Sequence, residues 1–270
     1  MLRKLVVSLL VGCLACGSLL AQRLELGAFT GVMHYFGDLN PNFGLSRPHA
    51  AFGGMVRYNF NPRFAGRVGV MWGRISADDA DTNTPFQQAR NLSFQTDILD
   101  ATAQIEFNFL PYIHGSRDET VAPYLFLGAG FFTFNPKMEY NGKLYELAPL
   151  GTEGQFIGSE YSLVQPQITY GMGIKWDMTR EWGMNFEVSA KKLFTDYLDD
   201  VSGYYTDEAN LRSLRGNVAV ELADRSNVGY DTKIGQPARQ RGDGLNEDTY
   251  ITCSLALVYN FNMVRCPTKW

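Results

Sequence analysis

Beyond its N-terminal leader, the sequence lacks any apolar run of the roughly 20 residues that a membrane-spanning helix requires. It also lacks an excess of positive charge, because 24 Lys and Arg stand against 28 Asp and Glu and give a net charge of −4. Proteins that bind the backbone of nucleic acids carry a basic patch or stripe. The sequence therefore predicts neither a helical membrane protein nor a nucleic-acid-binding protein.

Cysteine is scarce, with 4 in the chain, and the first two lie within residues 1–21. That segment has two early cations followed by an apolar stretch that ends in small and polar residues, which is typical of a secretory signal peptide. We expect cleavage after Ala21 or Gln22. The stretch LVGC at 10–13 also resembles a lipoprotein processing site, so lipidation of Cys13 stays open. In either case the chain is predicted to be exported.

Glycine and aromatic residues are abundant. The chain has 27 Gly, 18 Phe and 14 Tyr, while charged residues make up only 19%. In an exported chain with alternating polar and apolar residues, this composition favours a transmembrane β-barrel, which has an apolar outer face and aromatic girdles. A soluble β-sandwich is the competing interpretation.

Eight segments have the length and alternation of strands that cross a bilayer at a tilt. In the second segment, Phe52, Val56 and Tyr58 share one face, while Met55 and Arg57 share the other. We expect the apolar face to meet lipid and the polar face to line the lumen. The predicted strands are 24–36, 50–61, 64–76, 93–109, 123–134, 165–177, 182–194 and 249–261.

The connections between these segments alternate between short and long. Outer-membrane barrels have short periplasmic turns and long extracellular loops, whereas a sandwich has no reason to sort its loops in this way. The sequence thus predicts an all-β fold, an eight-stranded antiparallel transmembrane β-barrel over 22–263 in the outer membrane. Both termini are expected in the periplasm, with a C-terminal tail over 264–270. The short connections are 61–63 and 178–181, the moderate one is 110–122, and the long ones are 37–49, 77–92, 135–164 and 195–248.

Two segments in the long loops leave alternatives open. Ten strands are possible if 143–147 and 217–222 pair as an additional hairpin. Apolar residues also recur at helical spacing between Leu211 and Leu222, which predicts a short helix within 207–225. Gly216 interrupts that pattern.

Charged residues fall on the lumen-facing parity of several strands. Buried charges are stable only when they are paired, and an eight-stranded barrel is filled by its own side chains. We therefore predict a structural network of ion pairs that plugs the barrel, with a conductive pathway as the alternative. The network comprises Arg57, Arg67, Glu106, Lys175 and Glu187.

Groups that could support catalysis or bind metal are few. His34 and Asp38 could act as a base pair of the kind found in outer-membrane proteases, but a polar rim with a chance histidine is the better explanation. The carboxylates at 78, 79 and 81 suit calcium, although they lack the spacing and glycine of a calcium loop and are interpreted as solvated surface. The triplet Arg-Gly-Asp at 241–243 is assigned no function. We predict no enzyme activity, no cofactor and no metal site.

Several longer stretches carry a family resemblance. They are YFGDLNP (35–41), RYNFNPR (57–63), GRISADDAD (73–81), ARNLSF (89–94), IEFNFLPYI (105–113), FNPK (134–137), ELAPLGTEGQ (146–155) and FTDYLDDVSGYY (194–205). Together they resemble the PorG-type family of outer-membrane barrels of the type IX secretion system in Bacteroidetes. That resemblance implies a non-enzymatic component of a protein-secretion and gliding-motility machine, which ties a periplasmic ring of a PorK-type lipoprotein and its PorN-type partner to the outer membrane. Besides membrane lipid, no small-molecule partner is expected. The alternative is a small barrel that acts as an adhesin or narrow porin through its long outer loops.

The periplasmic end supplies the candidate partner surface. A ring in the periplasm can reach only the short turns and the tail, which nominates Arg117, Asp118 and Glu119 in the longest turn and Arg265 and Trp270 in the tail.

One cysteine in that tail has no obvious partner. Cys266 lies 13 residues after Cys253, along a strand and its extension, whereas a disulfide requires Cα atoms within about 7 Å. Cys253 falls on the apolar parity, where a small apolar residue is sufficient explanation. An unpaired thiol in an exported protein indicates intermolecular pairing. We predict that Cys266 forms a disulfide with the ring lipoprotein.

Overall fold

The computed structural model describes residues 24–40, 44–114, 116, 118–226, 233–244 and 247–261. The expected signal peptide, Arg117 and the tail over 264–270 with Arg265, Cys266 and Trp270 lie outside these residues.

Eight antiparallel strands close into a barrel. The closing pair is the first and last strand, which are in register from Glu25 opposite Asn260 to Phe36 opposite Thr249. This confirms the eight-stranded prediction, and the predicted bounds of the first strand match those observed. The barrel strands are β1 (Leu24–Phe36), β2 (His49–Asn59), β3 (Phe64–Asp78), β4 (Ser93–Asn108), β5 (Val121–Thr133), β8 (Val164–Asp177), β9 (Trp182–Leu193) and β10 (Thr249–Asn260).

The strands are tilted, as closure requires. Following the residue partners once around the barrel from Leu24 returns to β1 at His34, ten residues further along. A staggered closure of this kind fixes the strand tilt and the width of the lumen together.

The outer surface carries a continuous apolar band. On β3 the outward side chains are apolar from Phe64 to Trp72, and they become polar at Arg74 and beyond. At about 3.3 Å per residue and a tilt of about 40°, this stretch covers about 20 Å, close to the ~25 Å band of outer-membrane barrels. Val68 is 60% exposed and Leu127 62% exposed, which is the arrangement of a transmembrane barrel facing lipid.

Short turns lie at one end of the barrel because local side chains fold the chain back. The Asn61 carboxamide oxygen accepts hydrogen bonds from the backbone nitrogens of Arg63 at 2.8 Å and Phe64 at 2.9 Å. The Thr179 hydroxyl accepts one from the Trp182 nitrogen at 3.0 Å in the same way. The long loops all lie at the other end, where they fold together into a cap over the barrel mouth.

A small hairpin belongs to the cap. Strands β6 (Lys137–Tyr140) and β7 (Lys143–Glu146) pair with each other and join β4 through Gln95 opposite Lys137. The sheet therefore has ten strands in all, of which eight form the barrel. The predicted pairing of 143–147 with 217–222 is wrong, because 217–222 is helical.

The helix expected within 207–225 is present but broken. It forms α2 (Glu208–Arg215) and α3 (Asn217–Ala223), separated at Gly216, whose φ is 85°. A left-handed backbone of this kind ends a regular helix. A further short helix, α1 (Pro85–Arg90), lies in the loop between β3 and β4. Within the described residues, no helix is long and apolar enough to span a membrane.

A hydrophobic core fills the upper part of the lumen and continues into the cap. Barrel side chains such as Met33, Ile75 and Phe132 pack in it with cap side chains such as Leu198 and Leu222. Because this packing joins the two parts, the cap is a folded extension of the barrel wall.

Candidate functional site

The lower lumen holds a network of ion pairs centred on Glu106. Its carboxylate lies 2.9 Å from Arg57 Nε, 3.1 Å from Arg67 Nε and 2.7 Å from Lys175 Nζ. Glu187 on β9 lies 2.5 Å from Arg67, and Glu25 on β1 lies 2.7 Å from Arg57, which completes the network. The structure thus brings together all five residues nominated for the lumen.

The charges of this network balance, because the three cations meet three carboxylates. Neutral partners occupy further hydrogen-bonding sites. Asn108 Oδ1 accepts a bond from Lys175 Nζ at 2.9 Å, and the Tyr124 hydroxyl donates to Glu187 at 2.8 Å. Buried charges are tolerated in a protein interior when they are paired, so this network can fill the lower lumen with its charges neutralised.

A second polar cluster lies above the first. The Asp100 carboxylate accepts hydrogen bonds from Gln167 Nε2 at 2.7 Å and from the Tyr250 hydroxyl at 2.8 Å, and it pairs with Lys191. The cavity between the two clusters has a volume of about 40 Å³. This is room for a few water molecules, not for a solute.

The mouth at the short-turn end of the barrel is closed by the turn between β4 and β5. The Tyr112 hydroxyl donates to Asp177 at 2.5 Å, and His114 Nδ1 lies 3.2 Å from the same carboxylate. The His114 side chain is only 1% exposed. The first half of this turn therefore folds under the lumen, while Asp118, in the second half, is exposed.

Two arginines tie the loops of the cap together. Arg90 forms a two-pronged pair with Asp79, with Nη2 to Oδ1 at 2.7 Å, and its Nη1 donates to the Arg241 carbonyl at 2.6 Å. Arg241 in turn pairs with Glu153 at 3.0 Å and Asp200 at 3.5 Å. Both guanidiniums are buried and bridge segments far apart in the chain.

Carboxyl groups crowd the space beside these arginines. Burial is the largest cause that raises the pKa of Asp38 to about 6 and the pKa of Asp196 to about 7. Oxygen atoms of Asp38, Asp196 and Asp243 lie within 4.8 Å of one another. Burial and the neighbouring carboxylates also raise the pKa values of Asp199 and Asp248 well above the ordinary value for aspartate.

The aspartate cluster at 78–81 and the Arg-Gly-Asp triplet are less exposed than the sequence indicated. Asp79, interpreted as solvated surface, is fully buried against Arg90, while Asp78 and Asp81 pair with the exposed Arg47. Arg241 of the Arg-Gly-Asp triplet is buried inside the cap, so the triplet cannot be displayed as a loop motif.

His34 and Asp38 differ in environment. His34 lies on the outward face of β1, whereas Asp38 lies in the cap and accepts hydrogen bonds from the Asp243 nitrogen at 3.0 Å and 3.1 Å. Nothing in their hydrogen bonds joins them as a catalytic pair. Cys253 is a free cysteine on the outward face, as its parity indicates.

Sequence reasoning missed the acidic residues that hold the cap. Loops have no periodicity from which burial can be read, so a buried loop aspartate looks the same in sequence as an exposed one. One signal was present, because these residues fall in the stretches quoted for the family resemblance. Five of those stretches meet in the cap and supply Tyr35, Asp79, Arg90, Glu153, Asp199 and Asp200.

The cap also displays apolar side chains. Phe156 is 76% exposed and Ile157 68% exposed at the tip of the loop between β7 and β8. Arg215 steadies this tip, with Nη2 at 2.7 Å from Glu160 and Nη1 donating to the Pro149 carbonyl at 2.8 Å. These two apolar side chains are therefore held in solvent on a fixed loop.

A model of a family described as a domain of unknown function, DUF6089, matches residues 3–223. The chain belongs to this family. No curated protein matches the chain significantly.

Solved structures of small barrels are similar to it at low identity. Ail, the attachment invasion locus protein of Yersinia pestis, crystallised with the heparin analogue sucrose octasulfate, is 12% identical, with a TM-score of 0.40 and coverage of 88% of this chain and 96% of that chain. Neisserial surface protein A is 9% identical, with a TM-score of 0.42 and the same coverage. OprG from the outer membrane of Pseudomonas aeruginosa is 10% identical, with a TM-score of 0.39 and coverage of 88% and 95%.

Proposed function

We propose that this protein is a non-enzymatic outer-membrane barrel that works as a surface contact protein through its cap. The observation that carries the proposal is the combination of a closed lumen with an ordered, apolar loop tip. Phe156 and Ile157 lie outside the hydrophobic core, yet Glu160 and Arg215 hold their loop in place.

The closed lumen argues against the narrow-porin alternative. An ion that crossed the barrel would have to separate Glu106 from its three cations, and then pass Tyr112 and His114 at the mouth. Removing a partner from a buried ion pair costs about 3–5 kcal/mol. We expect single-channel recordings of the reconstituted protein to show no conductance steps, and a steady conductance would refute this part of the proposal.

The contact surface is tested by photo-crosslinking in intact cells. A photoreactive residue in place of Ile157 should yield crosslinked protein partners. The same residue in place of Leu127, which is equally exposed but faces lipid, should yield none. The double replacement Phe156→Ser with Ile157→Ser should abolish the crosslinks formed from a neighbouring loop position and leave barrel assembly unchanged. Failure of the 157 position to crosslink any protein would contradict a contact role for the tip.

A second candidate function is the attachment of a periplasmic ring, which the PorG-type resemblance implies. The observation that favours it is the ordered inner turn, since Tyr112 and His114 fix its first half and leave Asp118 exposed. PorK-type and PorN-type proteins should then copurify with the crosslinked barrel. Charge reversal at Arg117 with Asp118 should weaken that association while insertion is retained, and unchanged association would exclude this turn as the partner surface.

A further inference from the structure

Three distant segments meet at the hydroxyl of Tyr35, near the top of β1. The hydroxyl oxygen lies 2.6 Å from Asp199 Oδ2 and 2.8 Å from Asp248 Oδ1. Asp199 follows β9 and Asp248 precedes β10, so the two carboxyls mark the two ends of the longest loop. All three residues are buried, with exposures of 2%, 2% and 0%.

The second oxygen of each carboxyl is already an acceptor. The Val201 nitrogen donates to Asp199 Oδ1 at 2.8 Å, and the Leu198 nitrogen donates to Asp248 Oδ2 at 2.9 Å. A backbone N–H can only donate, and it is accepted best by an unprotonated oxygen. These contacts therefore favour a proton on the carboxyl oxygens that face Tyr35.

The Tyr35 hydroxyl supplies one hydrogen for two contacts with carboxyl oxygens. A tyrosine hydroxyl has a single hydrogen, so it can donate to one carboxylate only. The other contact would then set two oxygens without a hydrogen at hydrogen-bonding distance, which is repulsive for a buried carboxylate. A hydrogen on that carboxyl removes the conflict, because it donates to the hydroxyl oxygen while the hydroxyl donates onward.

We propose that the cap is latched to the barrel by one proton, which Asp199 and Asp248 share through the Tyr35 hydroxyl. The charged groups around the junction favour this proton. Asp38 and Asp196 add negative charge, and the guanidinium of Arg90, which interacts with Asp199, is already paired with Asp79. Burial and the mutual repulsion of the two carboxylates raise both pKa values, in agreement with the geometry.

The latch makes cap opening depend on pH. In the open cap both carboxyls meet water and ionise, so opening releases the proton. The opening equilibrium constant should rise about tenfold per pH unit above the ordinary aspartate pKa of ~3.9, until the pKa of the closed pair is passed. Asp38 and Asp196, with pKa values of about 6 and about 7, are ionised in both states above about pH 8. Above that pH, the change of the opening equilibrium constant with pH therefore reports on the latch.

Hydrogen–deuterium exchange of the full chain in lipid nanodiscs tests the latch. The protection factor of residues 194–204, with intrinsic exchange rates divided out, should fall about tenfold per pH unit from about pH 8. In Asp199→Asn the side-chain amide donates to the Tyr35 oxygen without any titratable proton, so the protection should become independent of pH. Asp248→Asn should behave in the same way, whereas Asp97→Asn, an exposed residue on the outer wall, should keep the wild-type slope.

Infrared spectroscopy gives a second readout, and its first arm uses the wild-type protein alone. At about pH 8 the wild-type protein should show the carbonyl band of a protonated carboxyl, which Asp199→Asn removes. A wild-type protein without that band, or with protection that does not change with pH, would overturn the proposal. Retention of the wild-type slope in both Asp199→Asn and Asp248→Asn would overturn it equally.

Discussion

Replacement of Glu106 by Gln tests the charge network in the lumen. The carboxylate is fully buried and lies within 3.1 Å of Arg57, Arg67 and Lys175. Gln keeps the size of the side chain and removes its charge, so three buried cations would remain with two carboxylates. Breaking a buried pair by removing one partner costs about 3–5 kcal/mol. We therefore expect the unfolding equilibrium constant to rise by two to four orders of magnitude, at about 1.4 kcal/mol per tenfold.

Urea unfolding in lipid vesicles measures this change. Tryptophan fluorescence is a suitable signal, because Trp72, Trp176 and Trp182 all lie on the lipid-facing surface. The heat-dependent shift in gel mobility that barrels show provides an independent signal. Asp97→Asn is the matched control, since its pair with Arg74 is nearly half exposed and should contribute about 1 kcal/mol or less.

A compensating change separates loss of charge balance from loss of shape. Adding Lys175→Met to Glu106→Gln leaves two cations with two carboxylates, and Met fills most of the space of the lysine stem. Because buried ion pairs are often replaced by apolar residues at little cost, the double variant should recover more than half of the lost stability. If Glu106→Gln were as mild as Asp97→Asn, or if Lys175→Met made it worse, the balance argument would be wrong.

Three further changes test other parts of the molecule. Gly37→Ala should lower the protection of the cap from hydrogen exchange and spare the barrel, because a Cβ atom there would lie 2.1 Å from the Tyr35 hydroxyl. Arg241→Ala should destabilise the cap by about 3–5 kcal/mol in thermal unfolding, since it leaves Glu153 and Asp200 without their cation; a loss under about 1 kcal/mol would contradict this. For Cys266, non-reducing gels of crude envelopes should show a larger species that disappears with reductant and in Cys266→Ala, and a monomer alone in the wild type would leave the thiol without that role.

The barrel was predictable because lipid and lumen impose a period of two on every strand. A residue such as Lys175 could be placed in the lumen from parity alone, once Ile174 and Trp176 are assigned to lipid. Glu25 has the same parity signal, because it lies on the inward face of β1. It was nevertheless not among the residues predicted for the network. The pairing partners of Glu106 follow from closure, which depends on strand order rather than on local sequence.

The cap was not predictable by the same reasoning. Its residues are buried by contacts between loops, and such contacts leave no repeat in the sequence. Asp79 was interpreted as solvated because it lies among other aspartates, yet α1 places Arg90 against it. The helical spacing after Asp207 was visible, whereas the break at Gly216 required knowledge of the backbone angle.

The two ends of the molecule differ in how their buried charge is neutralised. In the lumen each carboxylate of the network has a cation, so its neutrality does not depend on the medium. In the described part of the cap, carboxyls outnumber guanidiniums, because Asp38, Asp196, Asp199 and Asp248 crowd beside two arginines that are already paired. Buried carboxylates in excess must take up protons or expose themselves to water. We therefore expect the conformation of the cap to respond to pH more strongly than that of the barrel wall that carries it.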